Sequence, residues 1–197
     1  VYAMAELLAE QRDNRELKKA AQRALRYLKD HIVEGDKVAV VKNPEDEVKL
    51  GGNALATLAL TKYAHATQSE NNMELAEKLA RWMQEVQQES GRFGIHKLHY
   101  EERRISDYRS RYYPGEAVFA LATLYQYTEN ETWLRVAGKA AKYTGERLLK
   151  DDQVTPAEHD HWLLYGLERL QKHDPDPVWN KFARRLVDAI ARTQNTQ

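Results

Sequence analysis

Cysteine is absent from the 197 residues, which excludes disulfides, thiolate metal sites and a cysteine nucleophile. That absence fits cytoplasm and periplasm alike. A dominant charge sign is missing too: Lys plus Arg and Asp plus Glu each number 30, so the formal net charge is zero. Nucleic-acid and membrane-surface proteins lean on a net basic field, so neither partner is expected. No apolar run approaches the ~20 residues of a membrane span. What is present is 42% hydrophobic and 30% charged residue, the mix of a packed domain with well-solvated outer faces. The length fits one domain over residues 1–197 with a buried core. Val1 through Gln11 already read as an amphipathic helix with no initiator Met, signal peptide or cap before it. The chain is therefore expected to be part of a longer one, whose remainder is an expected partner.

Helical periodicity dominates, and the helices are of two alternating kinds. Residues 54–60 (ALATLAL) and 117–125 (AVFALATLY) are apolar nearly all round, as a helix buried on most sides must be. The other kind carries one apolar stripe. Leu75, Ala76, Leu79, Trp82, Met83 and Val86 recur at three- and four-residue steps, opposite Glu74, Glu77, Lys78, Arg81 and Glu85. The pattern predicts inner helices at 1–12, 52–66, 114–128 and 156–172, and outer helices at 15–32, 72–88, 130–149 and 177–194. These make four hairpins. Thr155-Pro156-Ala157-Glu158 and Asn71 with Glu74 read as capping boxes, and Asp176-Pro177 as a further helix start.

Residues repeat along with the pattern. Gly52-Asn53-Ala54 opens one inner helix and Gly115-Glu116-Ala117 the next; TKYAHATQSENN and LYQYTENETW close both in the same polar turn. The spacing is about sixty residues and then about forty-five, unlike the fixed ~34 of a tetratricopeptide solenoid. The irregularity lies in the outer-to-inner loops, 33–51, 89–113 and 150–155. Two of these contain strand-like alternation, Lys37 to Val41 and Phe93 to Tyr100, which predicts small β-hairpins. Long loops gathered at one end of a packed scaffold are where function usually sits.

This organisation resembles the α/α toroids, in which outer helices wrap an inner ring and long loops at one rim shape a central pocket. Six-hairpin glycoside hydrolases, N-acylglucosamine 2-epimerases, glucuronyl C5-epimerases, lanthionine cyclases and terpenoid cyclases share the design. The resemblance is architectural and covers the whole chain. Lanthionine cyclases need cysteine zinc ligands, and class II terpenoid cyclases need an Asp-rich acid motif; neither is present. The family ring takes about six hairpins, so four imply an open ring or one completed by further sequence. The resemblance implies an all-α fold with loops before the inner helices facing the pocket.

That placement ranks the polar residues. Asn53 and Glu116 occupy equivalent first turns, and Glu158 or His161 holds the corresponding place in the fourth hairpin. The segment from Ile105 to Glu116 gathers Asp107, Arg109, Arg111, Tyr108, Tyr112 and Tyr113 before a buried helix. Sugar sites want such a mixture, with aromatic faces for the ring and charged groups for hydroxyls and carboxylates. The competing account has the tyrosines packing while Arg109 and Arg111 pair with Glu101, Glu102 or Asp107. Glycosidic cleavage needs two acids, ~5–5.5 Å apart for retention or ~6.5–9.5 Å for inversion. Asp107, Glu116, Glu158 and Asp160 are the candidates, although Glu116 and Glu158 also suit helix N-termini. Asp107 lacks that explanation and ranks first. In Glu158-His159-Asp160-His161-Trp162, His161 suits proton transfer. His96 and His99 with His159 or His161 have spacings that also arise by chance, so no metal and no cofactor is expected.

The sequence thus predicts a carbohydrate-active toroid, a hydrolase, lyase or epimerase acting on a polar sugar or uronic acid. Asp107, Glu116 and His161 are its catalytic candidates. Asn53, Arg109, Arg111, Tyr112, Tyr113, Glu158, His159 and Asp160 are its substrate-binding candidates, for a small-molecule or oligosaccharide ligand. The alternatives are a non-catalytic module that binds a glycan or a partner protein, and a plain helical-repeat scaffold.

Overall fold

The alternation of all-apolar and one-sided segments folds as four helical hairpins. The computed structural model describes residues 1–11, 13–150 and 160–194. Among them the inner helices are α1 (Tyr2–Glu10), α3 (Leu50–Thr67), α5 (Tyr113–Thr128) and α7 (His161–His173). The outer helices are α2 (Arg15–Asp30), α4 (Glu70–Glu85), α6 (Glu131–Lys150) and α8 (Pro177–Gln194). Inner helices lie side by side in chain order, and each outer helix packs on the inner helix before it. With an inner neighbour on either side and an outer helix behind, α3 and α5 bury residues nearly all round, as their lack of a polar face requires. Outer helices bury a single stripe. On α4 it is Leu75, Ala76, Leu79, Ala80, Trp82 and Met83. Full burial of a Leu or Met contributes roughly 1.5–3 kcal/mol, so this stripe holds the outer layer more than intrinsic helix propensity does.

The hairpin turns repeat as well. Gln68 ends α3 and Glu129 ends α5, both in the left-handed region at φ 55° and 54°, and each donates its N–H to a carbonyl four residues back. Asp176 Oδ1 accepts from Val178 N at 2.9 Å at the start of α8. Asn71 does not cap α4. That helix starts earlier, at Glu70 after Ser69, and Asn72 Nδ2 donates to Ser69 Oγ at 2.8 Å instead. The capping box expected at 155–158 lies outside the described residues; α7 starts at His161, with Asp160 as its cap.

Short strands occupy the long loops. β1 (Ile32–Glu34) and β2 (Ala39–Val41) form the first hairpin, closed by Gly35 N to Val38 O at 2.8 Å. β4 (Lys97–His99) and β5 (Arg104–Ile105) form the second. A strand that alternation alone did not reveal, β3 (Glu47–Lys49), pairs with β4 and joins the loops before α3 and α5 into one three-stranded sheet. Leu50 N to His96 O at 3.0 Å and Tyr100 N to Asp46 O at 2.8 Å extend the seam. The sheet therefore locks the starts of α3 and α5 at one end of the inner layer.

Candidate functional site

At that end two acids are buried where neighbouring inner helices begin. Glu116, in the first turn of α5, is 9% exposed, and Asp160, the cap of α7, is 5% exposed. Glycine makes room for both. A Cβ at Gly51 would collide with Glu116 Oε2 and the Tyr113 ring, and one at Gly115 would collide with the Asp160 carboxylate. Each acid thus rests on the backbone of the preceding inner helix. Asp160 Oδ1 accepts from Leu163 N at 3.1 Å. Its Oδ2, like Glu116 Oε2, is buried with no hydrogen-bond partner among the described residues. Burial pushes Glu116 up to about 7. Asp160 is pushed up to about 7 as well, first by burial and then by the charge of Glu116, against the pull of backbone N–H groups in the first turn of α7. A carboxyl group in that range exchanges its proton near neutrality, the condition for general acid–base work.

Asn53, the counterpart of Glu116 in α3, is fully buried and engaged by backbone. Its Oδ1 accepts from Val41 N at 3.0 Å and its Nδ2 donates to Lys49 O at 2.8 Å. It ties hairpin β1–β2 to the start of α3.

The loop 106–112 is built around Ser110 and His96. Ser110 N donates to His96 Nδ1 at 3.0 Å, and Ser110 Oγ accepts from Tyr112 N and Tyr113 N at 3.2 and 3.3 Å. His96 is buried and pushed down to about 4, by burial and then by the charges of Arg109 and Arg92. Contrary to one account, Arg109 forms no ion pair with an acid among the described residues. Its Nη1 donates to Ser106 O at 3.0 Å and Tyr108 O at 2.8 Å, while Glu101 and Glu102 are taken by Lys42 and Arg104. Tyr113 packs against Tyr108 and is pushed up to about 12, chiefly by burial.

A cavity of about 500 Å³ opens between this loop, the last turns of α6 and the first turns of α5 and α7. Arg109, Arg111 and Asp160 line it together with Arg92, His96, Tyr143 and Arg147. Asp107 and Tyr112 are exposed on the loop and form no part of its wall. Glu158 and His159 lie outside the described residues. Among the described residues no group of three or more His, Asp or Glu is placed to hold a metal ion.

His161 is exposed and begins an aromatic run that crosses the inner layer. Its ring lies 5.0 Å from Trp162 and 6.0 Å from Tyr165; Phe119 of α5 lies 6.2 and 5.5 Å from the same two rings, and Tyr2 of α1 lies 6.4 Å from Phe119. Tyr165 is 52% exposed. Sequence reasoning passed over Phe119, Trp162 and Tyr165. The signal was the step from His161 to Tyr165, one helical turn apart on one face.

No protein-family model matches the chain, and no curated protein sequence does. Solved structures do. A D-mannose isomerase superposes with a TM-score of 0.79 at 17% identity, over 96% of this chain and 56% of that one. An inactive variant of an α-1,6-mannanase from Salegentibacter sp., in complex with α-1,6-mannotetrose, gives 0.78 at 18% identity, over 100% and 62%. A cellobiose 2-epimerase from Spirochaeta thermophila gives 0.78 at 14% identity, over 99% and 58%. These are six-hairpin α/α toroids, and the present chain has their fold. It spans 56–62% of the length of these three structures.

Proposed function

We propose that this chain is the larger part of a carbohydrate-active α/α toroid, a hydrolase, lyase or epimerase acting on a polar sugar or uronic acid. The observation that carries the reading is the pair of buried carboxyl groups, Glu116 and Asp160, each at the start of an inner helix and each with one oxygen that has no partner among the described residues. A structural acid in the interior is normally saturated with hydrogen bonds, because an unpaired polar group there costs about 1–3 kcal/mol. Two adjacent exceptions, both pushed to about 7, suit an acid and a base that exchange a proton with a sugar oxygen or carbon. Burial is the reason to place that role on Glu116 and Asp160 ahead of Asp107, which is exposed. In this reading the aromatic run offers Trp162 and Tyr165 as faces for a sugar ring, and His161 stands at its open end. Arg109 and Arg111 face the substrate's polar groups. That structures of the same fold include a mannanase and two sugar-converting enzymes supports the reading.

The test begins with a thermal-shift screen against neutral sugars, amino sugars and uronic acids. A ligand at a hundred times its Kd adds about 2.7 kcal/mol of stability. Turnover of the sugar that binds is then measured in Glu116→Gln and Asp160→Asn. Each is expected to lose about 10²–10⁴-fold in kcat with the fold intact by circular dichroism. Full activity in both variants would remove the acid–base assignment.

A further inference from the structure

We propose that the outer face of α2 is a docking surface for an anionic polysaccharide, separate from the pocket at the inner-helix starts. The proposal goes beyond the carbohydrate reading of that pocket and rests on it only for the choice of a sugar polymer among polyanions.

The chain as a whole is neutral, but α2 is not. It carries Arg15, Lys18, Lys19, Arg23, Arg26 and Lys29 against only Glu16 and Asp30. Its apolar side faces α1 and the core, where Ala21 and Leu25 are buried and Leu17 and Leu28 half-buried. The cations lie opposite. Arg15, Lys19, Gln22, Arg26 and Lys29 follow one another at steps of four and three residues, which keeps them on one face, and all five are exposed. At 1.5 Å per residue this row is ~21 Å long, with Lys18 and Arg23 on its flanks.

Counter-charge within the protein does not account for the row. Among the described residues only Lys19 has an acid partner, its helix neighbour Glu16 at 3.0 Å. Glu34 and Glu74, which share a groove with Lys29, pair with Lys78 instead. The one residue between α1 and α2 that lies outside the described residues, Arg12, is itself a cation. Residues 151–159 follow the third hairpin, whereas α2 packs on α1 in the first. The next outer helix differs. On α4, Lys78 is paired with two acids and Arg81 donates to Lys37 O at 3.1 Å. A face that serves solubility alone mixes its signs. On α2 like charges stand one turn apart, Arg15 by Lys19 and Lys19 by Arg23, which weakens the helix unless an anion lies along them.

Tyr27 points to the occupant. It is 69% exposed, one turn beyond Arg23 on the flank of the row, with its ring 4.5 Å from that of His31. An open aromatic face beside guanidinium groups suits a sugar ring that bears a carboxylate or sulfate. A bilayer fits less well, because the apolar side of α2 is packed on the core and cannot enter lipid. A nucleic-acid duplex draws on a net basic domain, which this neutral chain is not.

Isothermal titration calorimetry on the whole chain tests the proposal with polygalacturonate, neutral dextran, a short DNA duplex and mixed phosphatidylcholine–phosphatidylserine vesicles. Polygalacturonate should bind and dextran should not. Binding should weaken as salt is raised, by roughly tenfold or more in the double variant Arg23→Gln/Arg26→Gln, and by roughly threefold or more in Tyr27→Ala. These positions are exposed and receive good helix formers, and circular dichroism checks the fold. No binding of polygalacturonate, or binding unchanged in the double variant, would overturn the docking surface; the pocket reading is tested apart from it, by turnover in Glu116→Gln and Asp160→Asn. Tighter binding of the duplex or the vesicles, lost in the same double variant, would overturn the polysaccharide as occupant, as would binding insensitive to Tyr27→Ala. Polygalacturonate binding that the double variant loses, with no sugar turned over by the parent, would support the docking surface and remove the pocket reading.

Discussion

Asn53 and Glu116 are each the fourth residue of an inner helix, yet their surroundings treat them in opposite ways. The loop before α3 folds back as hairpin β1–β2, and its Val41 N–H reaches Asn53 Oδ1 while Lys49 O receives the amide hydrogen. The loop before α5 satisfies itself: Ser110 takes the N–H groups of Tyr112 and Tyr113, and His96 takes that of Ser110. Nothing among the described residues reaches Glu116 Oε2. One turn of the repeat therefore serves stability, while the next holds an uncompensated acid. Local rules broken without a compensating partner are expected where a protein works on a ligand.

Three substitutions sharpen or break that contrast. Asn53→Ala removes the side chain that takes the part-buried Val41 N–H and donates to the Lys49 carbonyl, so a loss of about 1–3 kcal/mol is expected. Chemical denaturation should show the same loss at pH 5 and pH 8, since no ionisation is involved. A loss below ~0.5 kcal/mol would mean the clamp is dispensable.

Glu116→Gln should behave in the opposite way. The folded value of Glu116, about 7, lies above its ordinary 4.5, so the folded chain holds more protons between those values. Its contribution to stability is fully present below pH 4.5 and is lost as pH rises through about 7. The loss is on the order of 1.4 kcal/mol for each unit of pKa difference. The Gln variant cannot ionise, and is expected to match the parent at pH 4.5 and exceed it at pH 8. A variant less stable than the parent at both pH values would show that the carboxylate is held by partners after all.

Asp107→Asn is the smallest change, within ~0.5 kcal/mol, as for surface substitutions generally. Its kinetics carry the information. A hundredfold or greater loss of kcat at unchanged stability would move the acid role from the inner-helix starts to the exposed loop.

What local sequence dictates was legible. Helix number, the alternation of inner and outer kinds, the repeated polar turns at Gln68 and Glu129 and the presence of loop hairpins follow from periodicity and caps, which are properties of neighbouring residues. The acids at 116 and 160 could be named from their positions at helix starts. Which of them lacks partners could not, because a hydrogen bond such as Val41 to Asn53, or β3 to β4 across fifty residues, depends on how distant loops meet. The arginine cavity has the same origin. Arg92, Arg111 and Arg147 sit in segments with no common pattern, and only helix packing brings them to one wall. Sequence by itself determined the hairpins, because helices are specified turn by turn. Tertiary structure alone decided burial, and burial rather than residue type sets Glu116 and Asp160 apart from the exposed Asp107.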